Sequence, residues 1–308
     1  VHIAHGYYYY FGFKDYESAL EQVELGLKGQ SSNSEIIGLM GYIKRRQGKY
    51  EEAVAALIKA ARLDPRHVDY VNNVSTTYLG IRNWAEAERY ADRYITVAPD
   101  QSAGYSRKAT VHLRSKGDIE RAREIYQEAL EKVGPDVLID ERSYIEILAR
   151  DYQKALDIVE ASASDWFLWK AYIYRYMGRQ EQSIEYFDSA RITYEERISK
   201  KPDDYRSHGN LGIAYAGLGR REEAISEGKL AIEILPLSRD AASGATMILD
   251  LAEIYAMLGD QDAAIDQLEV LLSIPSTLTV PLLKLDPQWD PLREHPRFKG
   301  LVGWHPSP

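Results

Sequence analysis

The sequence predicts an all-α fold, a right-handed superhelical solenoid of antiparallel helix hairpins with about eight repeats and a proline-punctuated C-terminal cap. Three observations carry this. Ala53, Ala87, Ala122 and Ala155 follow one another at 34, 35 and 33 residues, and Ala224 and Ala264 head the same local pattern. A glycine or aromatic turn stands upstream, as at Gly48-Lys49-Tyr50, Asn83-Trp84, Gly117, Gly219 and Gly259. A proline closes the clear copies, at Pro65, Pro99, Pro135, Pro236 and Pro275. A fixed period of this length marks a helix hairpin that cannot bury its apolar face alone and must stack on the next.

Taken in order, the units read as follows. Tyr7, Tyr10, Tyr16, Ala19 and Val23 make a first hairpin. Ile37, Gly41, Gly48, Tyr50, Ala53, Leu57, Ala60 and Pro65 make a second; Val71, Tyr78, Trp84, Ala87 and Pro99 a third; Ala109, Leu113, Gly117, Ala122, Tyr126 and Ala129 a fourth. The unit around Ser143, Tyr152, Ala155 and Val159 lacks the glycine and the closing proline. The next small residue in the alanine slot is Ser183, 28 positions on, and Ala224 then follows at 41. That shortfall and excess predict a tight junction near Ser162–Asp165 and a long helix from about Glu181 to Lys200, stopped by Pro202. Leu211, Gly212, Tyr215, Gly219, Ala224, Ala231 and Pro236 restore the pattern, and Leu251, Tyr255, Gly259, Ala264 and Leu268 end it.

On these residues the chain resembles the tetratricopeptide repeat family over nearly its whole length. Small residues mark where two helices cross most closely, and large ones fill the space between hairpins. Residues 1–277 are assigned to the array, irregular near 156–200, and 278–308 to a C-terminal capping segment. Its prolines at 281, 287, 291 and 296 forbid one continuous helix, and Trp289, Leu292 and Phe298 are its anchors. This tail, with the opening Gly6-Tyr7-Tyr8-Tyr9-Tyr10, resembles the C-terminal repeat region of bacterial multidomain regulators. In those, a kinase, nucleotide cyclase or winged-helix output domain precedes the array.

Composition narrows the chemistry. Of 308 residues, 45% are hydrophobic and 28% charged, as in an ordinary folded protein. A net charge of −9 argues against general attraction to nucleic acid. The 23 tyrosines suit helix faces that are half buried and half wet. No cysteine is present, which excludes disulfides and thiolate sites. No apolar run approaches the ~18 residues that span a bilayer, and no export signal opens the chain. It reads as a fragment of a longer, cytoplasmic protein. Its histidines are isolated, with no His-x-x-x-His pair, so neither a metal nor another cofactor is expected.

First helices of such hairpins line the concave face. Helical periodicity projects Tyr8, then Tyr42, Arg45 and Arg46, then Asn72 and Asn73, then Arg107, Lys108 and Arg114 into that groove. A basic, amide-bearing stretch in an acidic chain predicts binding of an extended acidic protein or peptide segment, arginine gripping carboxylate and asparagine the backbone. The clamp of chaperone-binding family members is only partly matched: Asn73 and Lys108 sit on clamp positions, but Gly38, Tyr42 and Gly104 fill the others. A second candidate is an aromatic pocket of Trp166, Trp169, Tyr172 and Tyr176, set against the blander reading that these rings fill core. A catalytic site would have to come from Asp140, Glu141 and Tyr144, for which no reaction can be named. The function expected is therefore a non-catalytic binding scaffold, the sensory or docking module of a larger bacterial regulator. The alternative is an oligomerisation or spacer module.

Overall fold

The computed structural model describes residues 1–162 and 164–303; Ala163, inside the expected junction, lies outside the described residues. Among the described residues there are helices and no strands. They pair as eight antiparallel hairpins. α1 (His2–Tyr7), extended by a π-helical turn Tyr8–Phe13, pairs with α2 (Tyr16–Gly29), and α3 (Ser34–Arg46) with α4 (Tyr50–Leu63). α5 (Val68–Gly80) pairs with α6 (Trp84–Val97), α7 (Ser102–Lys116) with α8 (Ile119–Val133), and α9 (Ile139–Leu148) with α10 (Tyr152–Glu160). α11 (Phe167–Tyr176) and α12 (Gln180–Lys200), α13 (Tyr205–Gly217) and α14 (Arg221–Ile234), and α15 (Ser243–Met257) and α16 (Gln261–Ser273) complete the array. The 21-residue α12 absorbs the irregular spacing around Ser183. α17 (Val280–Leu285), a 3₁₀ turn Pro287–Leu292 and α18 (Pro296–Gly303) follow.

One turn geometry sets the register. In every hairpin the helices are joined through a residue in the left-handed region, always five positions before the alanine slot: Lys14, Gly48, Arg82, Gly117, Arg150, Gly178, Gly219 and Gly259. Asn33, Asn83, Asp118 and Asp151 then cap helices with side-chain oxygens on backbone N–H groups. Twelve residues before the slot, Gly41 and Gly212 let the paired helix approach until a Cβ would lie 3.1 and 2.9 Å from the carbonyls of Ala53 and Ala224. At the matching places Ser75 and Ser143 donate to the carbonyls of Ala87 and Ala155.

The superhelix closes on itself. The Arg46 carbonyl accepts from Ala241 N–H at 2.8 Å, and Arg239 donates to the Phe13 carbonyl at 2.6 Å. Farther along, α17 lies across α7, with Leu282 in the core that holds Tyr105 and Leu113. Trp289, Leu292 and Phe298 are fully buried against α15 and α16. The tail thus both covers the last hairpin and bridges back to the fourth and fifth. No described helix is long and apolar enough to cross a membrane.

Candidate functional site

Closure turns part of the concave groove into a half-enclosed lumen. One cavity, of about 310 Å³, is lined by Arg45, Arg107 and Arg114 from one side and by Ala242 and Pro275–Thr277 from the other. A second, of about 200 Å³, shares Thr110, Arg114 and Thr277 with it and continues under Leu249, Leu282 and Trp289. The three arginines come from helical positions that face inward on α3 and α7.

None of the three forms an ion pair among the described residues. Two nitrogens of Arg45, Nε and Nη1, have no acceptor. Arg107 Nε donates to Asn72 Oδ1 at 3.2 Å. Burial lowers the pKa of all three, that of Arg114 to about 10, where the neighbouring Arg107 acts in the same direction. Acids are pushed the other way, and two of them, Glu141 and Asp286, line the smaller cavity. Burial raises Glu141 to about 7, helped by Asp140, and Asp286 to about 6 against the opposing hydrogen bond from Tyr144. On α15, burial brings Asp250 to about 7 and Glu253 to about 8. Arginines without carboxylate partners, beside acids that burial makes harder to ionise, favour an anion there.

The remaining groove residues are divided. Arg46, one position beyond Arg45, borders the same cavity, but its guanidinium is held at the seam by Asp240, Ser243 and the Tyr10 hydroxyl. Tyr8 is exposed in the outer cleft beside Phe13 and Arg239. Tyr42 is half-buried against Tyr10. Asn73 bonds its own helix at the Asp69 carbonyl, and Lys108 pairs with Asp92 at 2.7 Å. Neither of these last two lines the cavities that hold the arginines. Glu141 and Tyr144 line the smaller cavity with Arg114.

The four aromatics pack among themselves and on core. Trp166 Nε1 donates to Ser162 Oγ at 2.8 Å, and Trp169 meets Tyr144 edge-on. Tyr172 stacks on Tyr176 and meets Phe187 edge-on, while Tyr176 also packs on Tyr152. None of the four lines either interior cavity. Sequence reasoning missed the C-terminal wall, Ala242 and Pro275–Trp289. Its signal was the placing of Lys14, Arg82 and Arg150 where other repeats carry glycine, because each of these cations reaches the C-terminal half. Lys14 lies over the Tyr205 ring, Arg82 grips the end of α16, and Arg150 pairs with Asp290.

Comparison with known proteins agrees with this architecture. A tetratricopeptide repeat profile matches residues 39–102, 75–137 and 168–239. The chain is 24% identical over 204 residues to Hsp70-Hsp90 organizing protein 1 of Glycine max, covering 61% of this chain and 33% of that protein. It is 32% identical over 84 residues to heat shock protein STI1 of Saccharomyces cerevisiae, covering 27% and 14%. The chain thus spans a third or less of these relatives. Among solved structures, a tetratricopeptide repeat protein from Parabacteroides merdae aligns with 98% of this chain and 96% of its own at 14% identity, TM-score 0.43. The pilF protein of Pseudomonas aeruginosa aligns with 65% and 96% at 16% identity, TM-score 0.49.

Proposed function

The chain belongs to the tetratricopeptide repeat family, a family of protein-interaction scaffolds, and from that premise we propose that it is the non-catalytic docking module of a larger bacterial regulatory protein. Its concave side takes an extended acidic segment. The single observation that carries this is the arginine wall: Arg45, Arg107 and Arg114 face inward with no carboxylate paired to them in a chain of net charge −9. Asn72, Asn73 and Lys108 continue the wall to the open side. The likeness of the tail to bacterial regulators supports the larger context.

A chaperone-tail clamp is disfavoured by packing. A Cβ at Gly38 would lie 2.3 Å from the Tyr70 ring, and one at Gly104 would lie 2.7 Å from Ile95, so clamp lysines have no room there. The docking test is capture of a partner from lysate by the wild type and by an Asn73→Ala/Lys108→Glu variant, with salt varied. Arg46 is left unchanged because it holds the seam. Loss of the partner in the variant and weakening by salt support docking at this face; equal capture by both rejects it. A second reading, self-association, is favoured by Tyr8, Phe11 and Phe13, which are 58%, 68% and 52% exposed at one end of the array. Light scattering that finds a strict monomer at high concentration removes it.

A further inference from the structure

The geometry points to a small-molecule receptor inside the ring: the enclosed double cavity takes an organic acid, its carboxylate on Arg45, Arg107 and Arg114 and its apolar body beneath Trp289. This rests on the proposed reading only in treating the arginine wall as a binding surface, and it assigns that wall's enclosed part a ligand of its own.

Four observations lead there. The cavities of about 310 and 200 Å³ meet at Thr110, Arg114 and Thr277, so one ligand can occupy both. Together they have the size and mixed lining of small-molecule sites rather than of interfaces. Both linings are mixed: arginines and the hydroxyls of Tyr50, Thr76 and Ser276 stand in the larger, and the smaller adds Leu249, Leu282 and Trp289 beside Arg114, Glu141 and Asp286. The charge at Arg107 and Arg114 is unspent. Other cations that tie this ring together are satisfied: Arg46 on Asp240, Arg82 on three backbone carbonyls, Arg123 on Glu146. Arg107 and Arg114 line the larger cavity with no carboxylate on either. A guanidinium taken out of water without an anion is costly, and a ligand carboxylate supplies one, forked by two N–H groups.

The same features exclude the neighbouring ligand classes. Inorganic phosphate leaves the leucine-lined half empty. A neutral apolar molecule leaves the arginines unpaired. A folded partner does not fit between the arginines and the opposite wall of Ala242 and residues 275–289. A free small molecule fills the site whole, and the last residue of a chain competes for it in the experiment below.

Isothermal titration calorimetry with hexanoate and phenylacetate tests this, against hexanol and benzyl alcohol, inorganic phosphate, and a leucine-terminated tripeptide with a free carboxylate. The acids are expected to bind at least about tenfold more tightly than the alcohols and than phosphate. Arg114→Gln removes a central cation and Thr110→Phe blocks the neck between the cavities; each is expected to weaken the acids by about tenfold or more. Thermal melts identify a variant that has failed to fold, and the second variant then decides. No binding by the wild type, equal binding of acid and alcohol, equal binding of phosphate, or undiminished binding by folded variants overturns the inference. Tighter binding of the tripeptide overturns the free-molecule assignment in favour of a chain terminus. Partner capture that depends on Asn73 and Lys108 but not on Thr110 separates failure here from failure of the docking reading.

Discussion

Asp240 is 1% exposed, and its carboxylate accepts from the Tyr16 hydroxyl at 2.7 Å, from Arg46, and from the N–H groups of Ala242 and Ser243. It stands 224 residues from Tyr16 in sequence, so this one side chain joins the first two hairpins to the start of the last. A buried carboxylate with a full set of partners is worth little against an apolar replacement of both ions, but removing one ion strands the other. Asp240→Ala is therefore expected to lower the unfolding free energy by about 3–5 kcal/mol, seen as a lower urea midpoint. Asp240→Asn, which keeps the shape and part of the bonding, is expected to lose less. A wild-type midpoint for the alanine variant would take Asp240 out of the closure.

At the scale of the hairpin, the turn slot ranks strain against reach. Arg82 holds a φ of 59°, where the Cβ of any L-residue crowds the carbonyl oxygen that follows it. In exchange its guanidinium donates to the carbonyls of Leu271 and Leu272, the unpaired last turn of α16, and to that of Leu278. Those acceptors lie at the negative end of a helix, where a cation is doubly suited. Arg82→Gly relieves roughly 1 kcal/mol of strain and gives up charge-assisted bonds of about 1.5–3 kcal/mol each before resolvation. The net expectation is a loss of about 1–3 kcal/mol in thermal unfolding, although glycine is what Gly48, Gly178 and Gly219 place in this slot. A more stable glycine variant would show that strain outweighs the bridge. The repeat hairpins were readable in the sequence because alanine spacing and turn residues report contacts between neighbours only. Closure was not, because Arg150 and Asp290 are 140 residues apart and Arg239 and Phe13 are 226 apart. Helical projection grouped Arg46 with the other groove arginines, and it borders the same cavity; its pairing with Asp240, 194 residues away, gave no sign in the sequence. The opposite wall had no periodic signal at all.

For the molecule as a whole, closure encloses acids that an open groove would leave in water. Asp250, Glu253 and Asp286 carry pKa values of about 7, 8 and 6, raised first of all by burial. In the unfolded chain the same groups titrate near 4. Between these limits the folded state binds more protons than the unfolded one, so stability falls as pH rises, from about pH 4 to pH 8. Carboxylates held low by cations, such as Glu146 beside Arg123 and Lys154 or Asp290 beside Arg150, act oppositely, and their contribution is lost only as pH falls below about 4. The melting temperature should therefore be higher at pH 5 than at pH 8. Glu253→Gln replaces an acid that must stay protonated with an amide of the same shape beside the Tyr172 hydroxyl. It is expected to leave stability at pH 5 nearly unchanged and to raise it at pH 8 by on the order of 1–2 kcal/mol, water in the lumen having reduced the full linkage value. A slope of stability against pH that is the same for Glu253→Gln and wild type would mean that Glu253 is ionised in the folded ring. The lumen would then be a paired interior of both signs, and its attraction for anions would be lost with the proton.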